Sequence, residues 1–296
     1  MKRNQLNSLL FVLSLFIGSA VIAEQERISL GKAADFNAVI FGDFSAPHSD
    51  VEGRLAVQGN VSINNYSLAD KLSANTAGVS VVVGGDFNFP SGKIYHGHIL
   101  TGGSTEGVGD AVRHGLSTQQ LLLDQVDLPI DFVQLKNQLE AESSRLAALT
   151  PNGSVVSQWG GLYLEGDCQS PVQVFSLDGQ TVLNAHTFQV SCIPANAHVV
   201  LNISGTHSGL TNMSLESLKP HRQRVLFNFY QATSLKLAGI GVEGSILAPN
   251  AEINQPQGVV QGTVIAKTFH GMMQLNHVPF DGLNTHLSDC DLSQSP

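Results

Sequence analysis

The chain has 296 residues, of which only 13% are charged and 29 are glycine, and its formal net charge is −9. This low-charge, glycine-rich composition is typical of an all-β protein and lacks the charge density of a cytosolic helical protein. The negative charge disfavours binding to nucleic acid or to an anionic membrane surface, because both repel an acidic protein.

The first residues have the pattern of an export signal. Lys2 and Arg3 form a basic start, and the apolar run from Leu9 to Ile17 is too short for a comfortable transmembrane span. Small residues then precede a cleavage point after Ala23. The pattern predicts a signal peptide over 1–23, with an uncleaved membrane anchor as the alternative.

The remainder is long enough for one large all-β domain or two small ones. We predict a single domain over 24–290 and a disordered polar tail over 291–296. The mature protein is expected to be secreted or held at the cell surface, and the periplasm is a further location that the sequence allows.

Short apolar runs bounded by Gly, Asp and Asn follow one another over 30–44, 49–61 and 81–89. Such runs are expected of buried strands that are joined by tight turns. Further on, Asp178-Gly179 separates the apolar runs 172–177 and 180–183. An Asp-Gly pair between two such runs predicts a two-residue β-hairpin.

One long amphipathic helix is predicted in the middle of the chain. Pro129 is well placed for its start, and Thr150-Pro151 ends it, because the residue before proline avoids the helical conformation. Apolar residues recur at helical spacing on one face, namely Phe132, Leu135, Leu139, Leu146 and Leu149. This stripe is expected to pack along the flank of the β-structure; docking onto a partner is the alternative.

Three cysteines are present, and an exported protein favours disulfides. Cys168 and Cys192 flank one compact segment and are the predicted pair. The bond would close a loop of 25 residues, which contributes about 3–4 kcal/mol in the chain-entropy model. Cys290 is left over and is either free or paired with another chain.

Two phrases near the end of the chain repeat at a spacing of 18 residues, over 242–248 and 260–266, and 51–57 is a near relative. One repeat of this length fits one coil of a β-helix with three sides of about six residues. We therefore predict a mainly β fold, a β-helix or solenoid, with the long helix on its flank. Gly244 and Gly262 are expected at equivalent corners of adjacent coils. A β-sandwich with a chance repeat is the alternative.

The order of several phrases resembles a known family. LGKAADFNAVIFGD, SDVEGRLAVQGNVSI and VVVGGDFNF are followed by VLNISG, LFNF, GSILAPNAEI and HVPF. This order is similar to the choice-of-anchor A domain of bacterial surface and secreted proteins, over about 30–280. The resemblance implies an extracellular, adhesive, β-helical domain without known catalytic residues.

Two groups of polar residues are candidates for chemical sites. His96 and His98 could hold a metal with Asp86 or Asp110, but two exposed histidines beside a glycine turn are the favoured interpretation.

Asp43, His48 and Asp50 could form an acid/base group, although short polar residues between strands are more often turn formers. We predict no catalytic, cofactor-binding or metal-binding residues.

The favoured function is a non-enzymatic, exported binding or adhesion module of a bacterial cell surface or extracellular matrix. Its expected partner is a surface polysaccharide, a matrix protein or another cell-surface component, with no nucleic acid and no membrane insertion after signal cleavage.

One alternative is an ice-binding protein with a similar solenoid-plus-helix plan, although Thr233, Thr263 and Thr268 do not recur at the repeat spacing. A second alternative is a carbohydrate-active β-helix enzyme. The basic residues that an acidic polysaccharide would require are scattered.

Overall fold

The computed structural model describes residues 28–73 and 78–282. This part of the chain contains 24 strands in sheets of fifteen, six and three strands, so the predicted mainly β class is confirmed. Among these residues, no helix is both long and apolar enough to cross a membrane. The predicted signal peptide, the polar tail and Cys290 lie outside the described residues.

The strands in chain order are β1 (Ala38–Ile40), β2 (Phe44–Pro47), β3 (Asp50–Val51), β4 (Leu55–Val57), β5 (Val61–Asn64), β6 (Tyr66–Leu68), β7 (Val79–Val83), β8 (Phe87–Asn88), β9 (Gly92–Ile94), β10 (His98–Thr101), β11 (Leu122–Leu123), β12 (Ser154–Gln158), β13 (Gly161–Glu165), β14 (Val172–Asp178), β15 (Thr187–Ser191), β16 (His198–Ser204), β17 (His207–Thr211), β18 (Val225–Asn228), β19 (Ser234–Ala238), β20 (Ile240–Val242), β21 (Ser245–Asn254), β22 (Gly258–Gln261), β23 (Val264–His270) and β24 (Gln274–Asn276). The helices are α1 (Asp110–His114), α2 (Phe132–Ala147) and α3 (Gly179–Asn184), with 3₁₀ segments η1 (Gly31–Asp35) and η2 (Glu216–Arg224).

Parallel pairing arranges most strands in three rows. The first row runs β11-β10-β7-β4-β1-β23-β21-β18-β16-β14, the second β8-β5-β2-β23-β21-β19-β17, and the third β9-β6-β3-β24-β22-β20. Strand β21 belongs to two rows because its register with β23 shifts between Ala248 and Glu252, where the chain turns from the first row to the second. The remaining strands, β12, β13 and β15, form the separate three-stranded sheet.

The two repeated phrases lie side by side as predicted. In the parallel pair of β21 with β23, Ile246 is in register with Val264 and Ala248 with Ala266. A Cβ atom at Gly262 would lie 2.3 Å from the carbonyl oxygen of Gly244, so the two glycines are directly stacked. The prediction that these phrases form neighbouring parallel strands is confirmed, and antiparallel pairing between them is excluded.

Strand β1 joins the two ends of the described chain. Ala38 is in parallel register with Val264 of β23 on one side and with Leu55 of β4 on the other. From β1 the chain builds the first row outward to β11, and after α2 it returns from β14 at the opposite end of the row. This arrangement explains why 51–57 resembles the two later phrases.

Asn37 fastens this junction. It is 3% exposed, and its side-chain amide donates to the carbonyl oxygens of Gly262 at 2.8 Å and Asn276 at 3.0 Å. Its Oδ1 accepts from the backbone N–H of Gly53 at 2.9 Å. One buried side chain therefore satisfies three backbone groups from both halves of the chain, each of which would be costly to bury unpaired.

Helix α2 covers the outer side of the first row. Asp131 caps its N-terminus by accepting from the backbone N–H of Gln134 at 2.9 Å, two residues after the predicted start. Its apolar stripe packs with residues on the outer side of the row, including Val200, Leu226 and Leu247. The expected burial of the stripe against strand side chains is confirmed. Because these strands are buried on both sides, their sequences are nearly continuous apolar runs.

A buried polar contact fixes the helix on the sheet. Asn202 and Asn228 are in register on β16 and β18. The Asn228 amide donates to the carbonyl oxygen of Ser143 and to Oδ1 of Asn202, both at 2.8 Å, and the Asn202 amide donates to the carbonyl oxygen of Leu146 at 2.7 Å. These bonds define the position of α2 along the row, which apolar packing alone does not.

The predicted hairpin at Asp178-Gly179 is wrong. Strand β14 pairs in parallel with β16, and residues 179–184 form helix α3. The Asp178 carboxylate accepts from the backbone N–H and the hydroxyl of Thr181, both at 2.8 Å, which is the geometry of a helix N-cap. The same Asp therefore starts a helix, since its side chain satisfies a free N–H of the first turn.

The structure joins Cys168 to Cys192 by a disulfide, with the Cα atoms 4.6 Å apart. The bond follows the parallel strands β13 and β15, whose last register pair is Glu165 with Ser191. The backbone N–H of Cys168 also donates to the carbonyl oxygen of Cys192 at 3.1 Å. The bridge therefore closes one end of the three-stranded sheet.

Replacing Leu139 by Asp should destabilise the protein by at least about 3 kcal/mol, because Leu139 is 1% exposed and the new carboxylate would have no buried partner. Val133→Asp on the same helix is the matched control, since Val133 is 63% exposed. Urea unfolding followed by circular dichroism measures both. Equal effects of the two substitutions would mean that the stripe is not part of the core.

Asn37→Ala should cost about 2–4 kcal/mol in the same assay, because three backbone groups lose a buried partner at once. Asn88→Ala serves as the control, as Asn88 is exposed and its amide has one long contact, 3.4 Å to the Ser62 hydroxyl. A loss for Asn37→Ala no larger than for the control would contradict the proposed fastening.

Candidate functional site

The outer side of the second row carries a ladder of small uncharged polar side chains. Phe44, Val61 and Phe87 are in register and point inward, where they are buried. The next positions are Ser45, Ser62 and Asn88, which are also in register and lie on the outer side. With the adjacent Asn64 and Ser91 they form a surface that we call the polar wall. Its rungs have the strand spacing of about 4.7–4.9 Å.

One edge of the polar wall is a ladder of side chain to backbone bonds. Oδ1 of Asp43 accepts from the backbone N–H of Asn60 at 2.8 Å, and Oδ1 of Asn60 accepts from the N–H of Asp86 at 2.9 Å. Oδ1 of Asp86 then accepts from the N–H of Ser104 at 2.8 Å. Each corner side chain thereby holds the next corner, which fixes the spacing of the outward ladder beside it.

The other edge is held by side-chain contacts between corners. The Ser91 hydroxyl lies 2.7 Å from Oδ1 of Asn64 and 2.6 Å from Oδ1 of Asn65. Asn65 and His48 occupy equivalent corners, both with positive φ, and their side chains are 3.4 Å apart. Asn tolerates this left-handed conformation well, which fits its place at a tight corner.

The polar wall itself contains no charged side chain. The same row continues past His270, whose Nδ1 lies 2.9 Å from the Ser45 hydroxyl, to the ion pair of Lys267 with Glu252 at 2.8 Å. Hydroxyl and carboxamide groups offer both donors and acceptors, so the wall can hydrogen-bond an extended, uncharged, hydroxylated ligand.

Two of the candidate metal ligands, His98 and Asp86, have hydrogen-bond partners in the backbone. Nδ1 of His98 accepts from the backbone N–H of Leu121 at 3.2 Å, which helps to hold the last strand of the first row. Asp86 is used in the corner ladder. Across residues 28–73 and 78–282, no group of three or more His, Cys, Asp or Glu side chains could hold a metal ion.

In the candidate acid/base group, Asp43 and His48 have separate partners, and one carboxylate oxygen of Asp50 has none. Asp43 holds Asn60, and His48 contacts Asn65. Asp50 starts β3 in the third row, and its Oδ1 is buried without a hydrogen-bond partner. Burial, and then the nearby Glu52 and Asp70, raise the pKa of Asp50 to about 6, although Lys71 acts in the opposite direction. Asp50 also helps to raise the pKa of the buried Tyr66.

The three threonines Thr233, Thr263 and Thr268 do not form one ladder. Thr263 is fully buried, and its hydroxyl donates to the carbonyl oxygen of Phe36 at 2.9 Å. Thr268 is in register with Glu252. The Thr233 hydroxyl donates to the carbonyl oxygen of Thr206 at 3.2 Å.

A cleft of about 540 Å³ lies between η1 and α2, away from the polar wall. Glu142 lines it, and Oε1 of Glu142 accepts from the backbone N–H of Ser29 at 3.0 Å and from Arg145 at 2.8 Å. This carboxylate therefore fastens the N-terminal segment to the helix. Sequence periodicity carries no signal for the cleft, because its two sides are 98 or more residues apart in sequence.

The contribution of Asp50 to stability should fall as the pH rises from about 4 to about 7, because the folded protein holds the Asp50 proton more tightly than the unfolded chain does. The ordinary pKa of 3.8 and the folded pKa of about 6 set this window. Asp50→Asn removes the buried charge, so it should raise the melting temperature more at about pH 7 than at about pH 4. An equal change at both pH values would contradict the raised pKa.

A search of curated proteins finds no match. Among solved structures, an ice-binding protein from the Antarctic ascomycete Antarctomyces psychrotrophicus is 16% identical, with 88% of this chain and 100% of that chain covered and a TM-score of 0.33. An ice-binding protein from an Arctic yeast is 10% identical, with coverage of 85% and 94% and a TM-score of 0.37. Both likenesses are weak.

Residues 29–277 match the family model described as "Putative Ice-binding-like adhesive domain". Because the match spans most of the chain, the protein belongs to this family of ice-binding-like adhesive domains.

Proposed function

We propose that the protein is an exported, non-enzymatic adhesion module whose polar wall contacts an extended polysaccharide or matrix protein. The observation that carries the proposal is the in-register ladder of Ser45, Ser62 and Asn88. Membership of an adhesive-domain family supports it. The resemblance to choice-of-anchor A domains is part of the same proposal.

The proposal includes a β-helix as the support of the wall. Three rows of parallel strands, with like residues stacked, favour this architecture over an open sheet. Phe44 of β2, which carries the wall, and Phe269 of the adjacent β23 are stacked inside, with ring centroids 5.1 Å apart. A rigid stack holds its outer groups at fixed spacing, so binding costs little ordering of the protein.

Export and the lack of enzymatic activity are proposed on further grounds. A disulfide is favoured outside the cytosol, which agrees with the predicted signal peptide. The single domain over 24–290 is part of the proposal. Asp43 and Asp86, the carboxylates beside the wall, each accept a backbone N–H. Their commitment to the corners favours a structural role over acid/base chemistry.

Ice binding is the second candidate, and the family description and the regular spacing of the wall favour it. The wall would meet ice through Ser and Asn side chains, because the threonines lie elsewhere. Thermal hysteresis of the mature protein distinguishes this candidate from adhesion. A freezing-point depression that Ser62→Arg abolishes would assign the wall to ice.

Ser62→Arg should weaken binding on an array of glycans and matrix proteins by at least about tenfold, or about 1.4 kcal/mol, because a bulky cation would stand in the middle of the ladder. Gln274→Arg is the control, as Gln274 is an exposed residue of the third row. Equal binding by the two variants, or no binding of the parent protein to any member of the array, would refute the adhesive role of the wall.

A further inference from the structure

The three-stranded sheet at one end of the stack exposes a second surface of distinct chemistry. Register places Val156, Tyr163 and Gln189 in one line across the sheet, and Gln158, Gly161 and Thr187 in the next. The alternate positions Leu162 and Leu164 are buried, so these lines face outward. We call the surface the aromatic face; its residues are Gln158, Trp159, Tyr163, His186, Thr187 and Gln189.

Trp159 is the unusual residue of this face. It lies at the turn between β12 and β13 and is 85% exposed. Its φ is 51° and that of Gly160 is 72°, a pair of positive values that hairpin turns normally assign to Asn-Gly or Gly-Gly. At this position a tryptophan exposes a large apolar side chain to water and has an unfavourable backbone conformation. The fold gains nothing from its side chain, which points to binding as the reason for it.

The turn that carries Trp159 is held rigidly. The backbone N–H of His186 donates to the carbonyl oxygen of Gly160 at 2.9 Å. A Cβ atom at Gly160 would lie 2.5 Å from Nε2 of His186, and one at Gly161 would lie 2.8 Å from Cε2 of Tyr163. The two glycines therefore make room for the two rings. The disulfide holds the far ends of β13 and β15 together, so the face is ordered before any ligand arrives.

The chemistry of the face selects an uncharged, hydroxylated ligand with apolar ring faces. It combines aromatic rings with two carboxamides and a hydroxyl, a set that stacks on a ring and hydrogen-bonds its edges. None of its six residues is Asp, Glu, Lys or Arg. One carboxylate, Glu165, lies in the adjacent line on the same side of the sheet, opposite Ser154 and two residues after Tyr163. The net charge of −9 opposes an anionic ligand.

We propose that the aromatic face is a binding site for neutral polysaccharide, in which Trp159 and Tyr163 stack against sugar rings and Gln158 and Gln189 hydrogen-bond their hydroxyls. This site is separate from the polar wall, which lies on the second row. It adds a second location to the proposed adhesive role, and it specifies a polysaccharide without charge.

The chain contains a single tryptophan, so its intrinsic fluorescence reports directly on Trp159. The probes are cellohexaose, mannohexaose and N-acetylchitohexaose, with oligogalacturonate as the anionic comparison. At least one neutral probe should shift the emission to shorter wavelength in a saturable way, because stacking removes water from the indole, and the anionic probe should not. No shift with any neutral probe, or an equal shift with the anionic one, overturns the proposal.

Calorimetry with the active probe tests the residues. Trp159→Ala should weaken binding at least about tenfold, whereas Trp159→Tyr should retain part of it, because a tyrosine ring still stacks. Unfolding curves of both variants should match that of the parent, since the side chain is exposed. Equal binding by Trp159→Ala and the parent refutes the stacking.

Two further outcomes are decisive. A concentration-dependent emission shift without sugar, together with a dimer in sedimentation that Trp159→Ala abolishes, would mean that a second copy covers the face, and it would overturn the proposal. Ser62→Arg should leave the fluorescence titration unchanged, because Ser62 lies on the second row. Failure of the polar wall and failure of the aromatic face are therefore distinguishable.

Discussion

Strand β1 has backbone partners on both sides, and they come from opposite ends of the described chain. Its neighbours are β4, which follows it closely, and β23, more than 220 residues later. Neither half of the first row can be completed without this strand, and the Asn37 side chain bonds to both halves. The junction brings together segments with a very large sequence separation, so loop-closure entropy opposes it until the rest of the core is in place.

The position of α2 follows from that junction. The first row is built outward from β1 to β11, and the chain must then reach the opposite end before it can return through β14. A helix of 16 residues is about 24 Å long, which is about five strand spacings. The helix therefore carries the chain back along the row and covers its outer apolar side. Helix α2 thus both connects the two ends of the first row and buries the row's outer apolar side chains.

Much of this architecture was predictable from local pattern. The 18-residue phrases stack because a parallel row buries its core when like residues superpose, and the stripe of α2 is visible because helical spacing is regular. The Asp178-Gly179 hairpin was mispredicted because an Asp that caps a helix and an Asp that opens a turn look alike in sequence. The corner ladder was not predictable, since Asp43, Asn60, Asp86 and Ser104 are separated by unequal intervals.

The candidate surfaces differ from the rest of the polar residues because the side chains at their centres are not used to hold the backbone. In the sequence, Asp43 is an acid/base candidate and Asp86 is a candidate metal ligand, yet each carboxylate accepts a backbone N–H at a corner. Asn37, Asn202 and Asn228 are similarly committed to the interior.

Ser62 and Trp159, in contrast, are exposed and hold no part of the backbone in place. They differ in what they cost in folding free energy. Ser62 occupies an ordinary strand position, whereas Trp159 occupies a strained turn. A residue that the fold tolerates at a cost is stronger evidence for binding than one that it accommodates freely. The aromatic face is therefore the sharper of the two assignments, although the polar wall is the more extensive surface.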